Sequence, residues 1–255
     1  MSEIAFNYLI LGMCCMAVLV FVCLYFVNAG YGKFHAGSWG WSIHNKVAWV
    51  LMEAPAFVTM WLIWMNSQCS THLPELVLFL LFEFHYFQRS FVFPLLMRGK
   101  SRMPVVIMLM GITFNVLNGI LQGGGLFWFP NPDFREGAGY LLHWNAIAGI
   151  ALFCLGLAVN WHSDHVIRHL RKPGDTRHYL PEKGMYRYVT SANYLGEIME
   201  WVGFALAANT MAAWVFPIWT AANLVPRAHA IHKHYKDEFG GEAVGQKKRI
   251  IPFIY

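Results

Sequence analysis

The chain has 255 residues, of which 57% are hydrophobic and only 13% are charged, with a formal net charge of +5. Soluble domains carry about 25% charged residues, so this composition excludes an ordinary soluble domain and predicts an integral membrane protein. The five cysteines form no CxxC pair, which disfavours both a disulfide framework and a cysteine metal site.

Apolar segments long enough to span a bilayer core of about 30 Å recur along the whole chain. They are residues 5–29, 46–66, 73–97, 103–122, 139–161, 188–208 and 212–232. We therefore predict an all-α integral membrane bundle of seven transmembrane helices. The second and sixth segments are the weakest, because acidic residues and Pro55 interrupt them. The first segment lacks a basic start and a small-residue cleavage site, so we expect a retained helix and not a signal peptide.

Basic residues favour alternate connections between these segments. Bases outnumber acids in residues 30–45, in residues 98–102, after the fifth segment and in the tail, which contains the basic run 247–249. The other connections carry one base, Arg135, which two nearby acids outweigh. By the positive-inside rule, we predict the N-terminus outside and the C-terminus in the cytoplasm.

The longest polar interval, residues 160–201, joins the fifth and sixth segments. Polar residues recur there at helical spacing in two stripes, Asn160, Asp164, Arg168 and Arg171, and then Asn193, Glu197 and Glu200. We expect Pro173 and Gly174 to stop the fifth helix. Two polar stripes with basic residues between them predict a site for a large anionic ligand at a membrane surface. The alternative, a solvated cytoplasmic loop, does not explain carboxylates inside an apolar segment.

Several polar residues lie at predicted membrane depth, where each would be costly facing lipid. They are Glu53, Glu83, His85, Tyr86, Arg89, Glu197 and Glu200. Glu83, Tyr86 and Ser90 share one face of the third helix. A carboxyl group near a tyrosine in a dry cavity can donate hydrogen bonds to a carbonyl group. The alternative for each residue is a polar contact between helices, which we expect for Glu83 and Arg89.

Closely spaced histidines raise the question of a metal centre. Membrane di-iron enzymes use HxxxH and HxxHH boxes, whereas here His165 and His169 form one HxxxH and residues 229–234 form only HxxHxH. We therefore expect no metal. The glycine run 123–125 follows no predicted strand and lies in an outer connection, so a nucleotide would bind without a Rossmann fold.

Long motifs distributed along the whole chain resemble the steroid 5α-reductase family. They are YGK at 31–33, EAP at 53–55, HYFQRSFVFPLLMRGK at 85–100, NG at 118–119, NxHSD at 160–164, LRKPG at 170–174, YVTSANYLGEIMEW at 188–201, RAxxxHxxY at 227–235 and the ending IPFIY. The resemblance implies a seven-helix enzyme, here of bacterial type, that reduces the Δ4 double bond of a 3-oxo steroid with NADPH.

The resemblance also implies roles for single residues. Glu53 and Tyr86 match the catalytic pair that binds and polarises the 3-keto group, and Gly32 matches a position near the substrate. The NADPH-lining positions are matched by Arg98, Lys100, Asn160, Asp164, Arg171, Asn193, Glu197, Arg227 and Tyr235. Gly196 matches a close-packing glycine. The sequence departs from the family pattern at Ile231, at His178-Tyr179 and at Lys183-Gly184, which concerns how phosphates are held.

The resemblance implies NADPH as cofactor, and a steroid or another lipid enone as substrate. We expect a single reductase domain over residues 1–255, with helices one to four mainly on the substrate side and residues 139–255 mainly on the NADPH side. We also expect a cofactor site facing the cytoplasm, contact with membrane lipid, a monomer, no metal and no nucleic acid. The membrane would be the inner membrane in a bacterium or the endoplasmic reticulum in a eukaryote.

Other functions remain open at this point. A reductase of an enoyl-CoA or a polyprenol is poorly excluded. The basic residues favour a phosphate-bearing cofactor, which disfavours a membrane methyltransferase that uses S-adenosylmethionine. A transporter or lipid-binding protein is disfavoured because the sequence shows no inverted repeat.

Overall fold

The computed structural model describes residues 1–27, 39–67, 72–98, 101–171, 175 and 177–255. Gly32 and Lys100, for which site roles are predicted, lie outside the described residues. So do Pro173 and Gly174, which were expected to stop the fifth helix.

Most of the described chain is helical. The helices are α1 Glu3–Phe26, α2 Asn45–Asn66, α3 Leu73–Phe87, α4 Phe93–Leu96, α5 Val105–Phe127, α6 Trp144–Arg168, α7 Ala192–Ala208, α8 Met211–Phe239 and α9 Gly241–Val244. A π-helical turn, Gln88–Val92, joins α3 to α4, and 3₁₀ helices cover Pro132–Leu142 and Gly184–Arg187. Strands β1 Ser42–His44 and β2 Arg102–Pro104 pair antiparallel, with Ile43 opposite Met103.

Within the described residues, five helical stretches are long and apolar enough to cross a membrane: α1, α2, the stretch Leu73–Leu96, α5 and α6. These stretches are those of a multi-pass membrane protein. Helices also occupy the sixth and seventh predicted segments. However, α7 has only 17 residues, and α8 contains two prolines and a polar C-terminal half. The count of seven spans and their orientation therefore stay predictions.

The predicted end of the fourth segment is wrong, because α5 continues through the glycine run 123–125 to Phe127. A Cβ atom at Gly123, Gly124 or Gly125 would lie 2.9, 2.6 or 2.8 Å from the nearest atom of Ile63, Phe6 or Ala212, respectively. The three glycines are buried, and their missing side chains let neighbouring residues approach α5 closely. The run is therefore a packing surface and not an outer loop.

The fifth and sixth predicted segments also differ from the helices found there. Helix α6 ends at Arg168, and the Leu170 N–H donates to the Ile167 carbonyl, which tightens the last turn to 3₁₀ spacing. The prediction that one helical stripe extends from Asn160 to Arg171 is therefore wrong for Arg171, which lies beyond the end of α6. Helix α7 begins at Ala192 because the preceding residues pair with the C-terminal tail: the Thr190 N–H donates to the Lys248 carbonyl over 2.9 Å.

Two compact units divide the chain. The first unit comprises Met1–Cys14, Ala29–Ala148 and Ala205–Phe216, and the second comprises Cys15–Asn28, Gly149–Phe204 and Pro217–Tyr255. In the first unit α2 packs along α5, where a Cβ at Gly119 would lie 2.8 Å from Thr59. The single reductase domain expected from the sequence stays a prediction.

In the second unit the backbones of α6 and α7 touch. A Cβ at Gly196 would lie 2.4 Å from the Asn160 nitrogen, and a Cβ at Gly156 would lie 2.4 Å from the Glu200 nitrogen. A Cβ at Gly203 would lie equally close, 2.4 Å, to the Phe153 nitrogen. Small residues at such an interface let two helices pack at backbone distance. The close-packing role expected for Gly196 is confirmed, and this contact fixes Asn160 against α7.

Candidate active site

A buried polar network in the first unit links Glu53 to Tyr86 through Asn115 of α5. The Tyr86 hydroxyl, on a side chain that is 2% exposed, donates to Asn115 Oδ1 over 3.2 Å. Asn115 Nδ2 donates to the Met52 carbonyl over 2.7 Å and to Glu53 Oε2 over a longer 3.4 Å. Three helices, α2, α3 and α5, therefore bring the two residues predicted to bind a carbonyl group to one amide side chain.

The network continues along one face of α5. Asn118 Nδ2 donates to the Tyr86 hydroxyl oxygen over 3.3 Å. Gln122 Nε2 donates to Asn118 Oδ1 over 3.3 Å and to the Ala212 carbonyl over 3.0 Å. Asn115, Asn118 and Gln122 are spaced i, i+3 and i+7, which places them on one side of the helix. Sequence reasoning missed Asn115 and Gln122, although this spacing of amides in an apolar segment was a usable signal.

The ring of Tyr86 packs against other aromatic rings. It lies 4.6 Å from the Phe82 ring and stacks on Phe216 at 6.4 Å between centroids. Glu83 and Ser90 are buried with Tyr86, so the predicted inward face of the third helix is confirmed. Burial strengthens each hydrogen bond that the network can offer.

The side chain of Arg89 packs against two aromatic rings. Its guanidinium lies 4.9 Å from the Trp49 ring centroid and 4.7 Å from that of Phe93. A guanidinium above two aromatic rings is a packing contact between helices. These contacts agree with the structural role expected for Arg89, which stays a prediction.

In the second unit, polar groups from α6 and from the 3₁₀ helix converge on Asn193. Asn160 Nδ2 donates to the Asn193 carbonyl over 3.0 Å, and Asn193 Nδ2 donates to Asp164 Oδ1 over 3.5 Å. The Tyr186 hydroxyl donates to Asn193 Oδ1 over 3.3 Å. Burial, together with the charge of Asp164, raises the pKa of Tyr186 well above its ordinary value. Tyr186 therefore stays protonated and remains a donor.

A second group of polar side chains in this unit involves α8. Arg227 Nε donates to the Tyr194 hydroxyl over 2.9 Å. Burial raises the pKa of Tyr235, the charges of Tyr194 and Glu238 raise it further, and Arg171 opposes them. Arg227 therefore lies beside the Tyr194 hydroxyl, and Tyr194 and Arg171 both lie close enough to Tyr235 to influence its pKa. Sequence reasoning missed Tyr194 and Tyr186, although each lies within seven residues of Asn193.

The remaining predicted cofactor residues stand as follows. Glu197 is half-buried on α7, one turn beyond Asn193. Arg98 is exposed and belongs to the first unit. Lys100 lies outside the described residues.

A basic cavity of about 220 Å³ opens near the C-terminal end of the second unit. Its lining residues are His232, Lys236, Gly245, Gln246, Lys247, Lys248 and Arg249. Lys247 Nζ donates to the carbonyls of Pro181 and Tyr186 over 3.0 and 2.9 Å, and burial lowers the pKa of its ammonium group. Lys247 is therefore held by backbone carbonyls, and Lys236, Lys248 and Arg249 are the cations of this cavity that could bind an anion. The basic run 247–249, read from the sequence only as a topology signal, is part of this cavity.

The chain is similar to a known family of membrane enzymes. A family model described as 3-oxo-5-alpha-steroid 4-dehydrogenase matches residues 101–255. A steroid 5-alpha-reductase DET2 of Gossypium hirsutum is 36% identical over 261 residues, covering 100% of this chain and 99% of the relative. The chain belongs to the steroid 5α-reductase family.

Animal relatives of the family align over similar lengths. The 3-oxo-5-alpha-steroid 4-dehydrogenase 1 of Homo sapiens is 34% identical, covering 95% of this chain and 92% of the relative. The protein of the same name in Bos taurus is 33% identical, with 94% and 93% covered. The predicted enzyme class is confirmed: this family member is an oxidoreductase acting on CH–CH bonds.

In this member of the steroid 5α-reductase family, the segment before α7 contains a group of hydrogen bonds centred on Asp175. Arg177 forms two side-chain hydrogen bonds with Asp175, at 3.1 and 3.0 Å, and the Tyr179 hydroxyl donates to the same carboxylate over 2.7 Å. The hydrogen bonds of Arg177 and then of Tyr179 hold the pKa of Asp175 well below its usual range. Tyr179, where the sequence was expected to depart from the family pattern, therefore holds Asp175 in this structure.

Proposed function

We propose that this enzyme reduces the Δ4 double bond of a 3-oxo steroid to give a 5α-reduced 3-oxo steroid, with NADPH as cofactor. The observation that carries the proposal is the link from Glu53 through Asn115 to Tyr86, which joins an acid and a phenol in an apolar part of the first unit. The steroid itself is inferred from the names of the relatives.

The polar groups of the second unit fit the chemistry of NADPH. Amide and carboxylate groups suit a carboxamide and ribose hydroxyls, and arginines suit phosphates. The proposed cofactor residues are Asn160, Asp164, Arg171, Asn193, Glu197, Arg227 and Tyr235, with Arg98 and Lys100 as further basic contacts. When bound, NADPH supplies the hydride that adds to the β-carbon of the enone.

Glu53 and Tyr86 act on the carbonyl oxygen in this proposal. Each donates a hydrogen bond to that oxygen, Glu53 in its protonated form, and together they draw electron density away from the double bond. The charge of the developing enolate falls on the same oxygen, where both donors stabilise it. A proton then adds at the α-carbon, which completes the reduction of the double bond.

In this proposal, Tyr86 exchanges one hydrogen bond when the substrate binds. Its hydroxyl already donates to Asn115 Oδ1 and accepts from Asn118 Nδ2. A substrate carbonyl therefore replaces Asn115 as the acceptor, while Asn118 keeps the tyrosine oxygen in place. Asn115 Nδ2 remains held by the Met52 carbonyl, so the amide stays ordered during the exchange.

Anaerobic oxidation of NADPH by the purified enzyme tests the proposal. Testosterone, an enoyl-CoA and a polyprenal are offered separately, each with NADPH and with NADH. We expect turnover with testosterone and NADPH and formation of the 5α product. Turnover only with the enoyl-CoA or the polyprenal would reassign the substrate, and equal use of NADH would contradict a site for the 2′-phosphate.

The Glu53→Ala variant tests the carbonyl-binding role. Removing one oxyanion donor is expected to lower turnover about 10²–10³-fold, while NADPH binding, measured by calorimetry, persists. Glu83→Gln is the matched control, because Glu83 is a buried acid of the neighbouring helix that faces Trp61. Wild-type turnover in Glu53→Ala, or an equal loss in both variants, contradicts the role of Glu53.

A further inference from the structure

His178, His234 and Glu238 form a cluster in the second unit that the proposed reaction does not use. His178 Nδ1 lies 2.5 Å from Glu238 Oε1, and His234 Nε2 lies 3.1 Å from Glu238 Oε2. One donor atom from each residue lies within 4.8 Å of the other two. We call this group the imidazole–carboxylate cluster.

The cluster joins two distant parts of the chain. His234 and Glu238 are spaced i, i+4 on α8 and therefore share one face of its last turns. His178 comes from the segment before the 3₁₀ helix and is separated from Glu238 by 60 positions. The side chains are 49%, 33% and 27% exposed, in the order His178, His234 and Glu238. The cluster therefore borders the solvent, although His234 Nε2 itself is buried and is reached from the side of Glu238.

Two imidazoles and one carboxylate are a typical donor set for zinc and related divalent ions. Around a tetrahedral ion, nitrogen and oxygen donors at about 2.1 Å stand about 3.4 Å apart. The contacts of 2.5 and 3.1 Å therefore need to open by less than about 1 Å. The partial exposure leaves room for water as a further ligand. We propose that the imidazole–carboxylate cluster binds a divalent transition-metal ion of the zinc class and fastens the segment of His178 to α8.

This site differs from the histidine boxes weighed in the sequence. The rings of His165 and His169 stack at 4.0 Å between centroids, as neighbours on one helix turn. His143 and Glu136 form a pair at 2.9 Å in the first unit. Within the described residues, the imidazole–carboxylate cluster is the one set in which three such ligands converge. The two smaller groups provide matched controls on the same protein.

Metal binding is tested on the full-length enzyme, purified in detergent with a tag that contains no histidine and stripped with a chelator. Co²⁺ is titrated first, because its visible absorption reports nitrogen and oxygen coordination, and Zn²⁺ is then titrated by calorimetry. We expect one equivalent to bind to the wild type. His178→Ala and Glu238→Gln should each weaken binding at least about tenfold, since even partners outside the first coordination sphere contribute 10–100-fold.

His143→Ala and His165→Ala are the controls and should bind the ion like the wild type. Zn²⁺ should raise the melting temperature of the wild type and of both controls, but not of His178→Ala. Melting temperatures without metal show whether each variant is folded. The proposal is overturned if the wild type binds no equivalent of either ion, so that Glu238 only bridges two imidazoles, or if a His178→Ala, Glu238→Gln double variant still binds one equivalent.

Discussion

At the scale of single residues, Tyr86 is a hydroxyl group whose donor and acceptor positions are both used. It donates to Asn115 and accepts from Asn118, at 3.2 and 3.3 Å, distances that are long for such bonds. Long hydrogen bonds are the easier ones to exchange for a better acceptor. The geometry is that of a donor which is oriented before the substrate arrives and can be released to it.

Tyr86→Phe should separate catalysis from packing. The substitution removes one hydroxyl and almost no volume, so we expect turnover per folded molecule to fall about tenfold or more. It also leaves Asn118 Nδ2 without its tyrosine acceptor in a buried place, which should lower the free energy of unfolding by about 1–3 kcal/mol. Turnover and thermal denaturation are measured on one preparation.

Asn118→Leu is the control for Tyr86→Phe. It removes the same hydrogen bond from the other side and keeps the hydroxyl, and it also removes the acceptor of Gln122 Nε2. Stability should therefore fall at least as much as in Tyr86→Phe, whereas turnover per folded molecule should fall less, because the donor to the carbonyl is still present. If both variants lose turnover only in proportion to folded protein, Tyr86 is a structural residue and the carbonyl-binding role is wrong.

Sequence reasoning identified Glu53 and Tyr86 but not the side chain that joins them. The motif resemblance pointed to both, and the helical period placed Tyr86 on an inward face. The structure joins them through Asn115 of α5, a third helix. The period of one helix shows which face is buried, but it does not show which neighbouring helix lies against that face.

At the scale of helices, glycines decide which elements touch. Gly196 and Gly156 bring the backbones of α6 and α7 together near Asn160, and Gly203 does the same further along α7. The polar stripes could be read from the sequence because charges at helical spacing are conspicuous. The helical glycine run 123–125 could not, because glycine is equally typical of loops and only its packing partners show why it is helical here.

Gly196→Ala should disturb both stability and the cofactor site. Its Cβ would lie 2.4 Å from the Asn160 nitrogen, and because backbone cannot rotate away, α6 must shift. We expect a loss of about 1–3 kcal/mol in the free energy of unfolding together with a weaker affinity for NADPH. Thermal denaturation and calorimetry with NADPH measure the two effects.

Two further glycines give the matched controls for this prediction. Gly203→Ala makes an equally close contact with the Phe153 nitrogen, so it should lose stability with a smaller effect on NADPH binding. Gly12→Ala has no neighbouring atom within 4 Å and should be neutral or slightly stabilising. Equal NADPH affinity in Gly196→Ala and the wild type would show that Asn160 does not hold the cofactor.

At the scale of the whole molecule, the open question is whether α7 and α8 cross the membrane. Helix α7 has 17 residues and is about 26 Å long, slightly less than a bilayer core of about 30 Å. Glu200, near its middle, is fully buried, so this carboxylate does not face lipid. Together with the alternation of basic connections, this burial favours seven spans. Five spans and seven spans both place the two chain ends on opposite sides of the membrane, so the locations of the ends do not decide between the two counts.

Sites formed by residues that are distant in the sequence were the hardest features to predict. The imidazole–carboxylate cluster combines residues 60 positions apart, and histidine boxes describe only ligands that are close neighbours in sequence. The cavity near the tail likewise gathers Lys236 of α8 with the basic run 247–249. Composition predicted the membrane class correctly because it is a sum over the whole chain, whereas these sites depend on how distant segments return to each other.

Labelling of a cysteine at position 211 should decide the number of spans. Met211 begins α8 and is 73% exposed, so a Met211→Cys thiol in a cysteine-free enzyme is open to a membrane-impermeant maleimide. If α7 and α8 both cross the membrane, sealed right-side-out vesicles label Met211→Cys as they label Arg135→Cys in the outer connection. Glu242→Cys in the tail should react only after permeabilisation. Labelling of Met211→Cys that also requires permeabilisation would leave five spans and would show that α7 and α8 stay on the cytoplasmic side. The cysteine-free enzyme must retain turnover, so that the topology measured is that of the active protein.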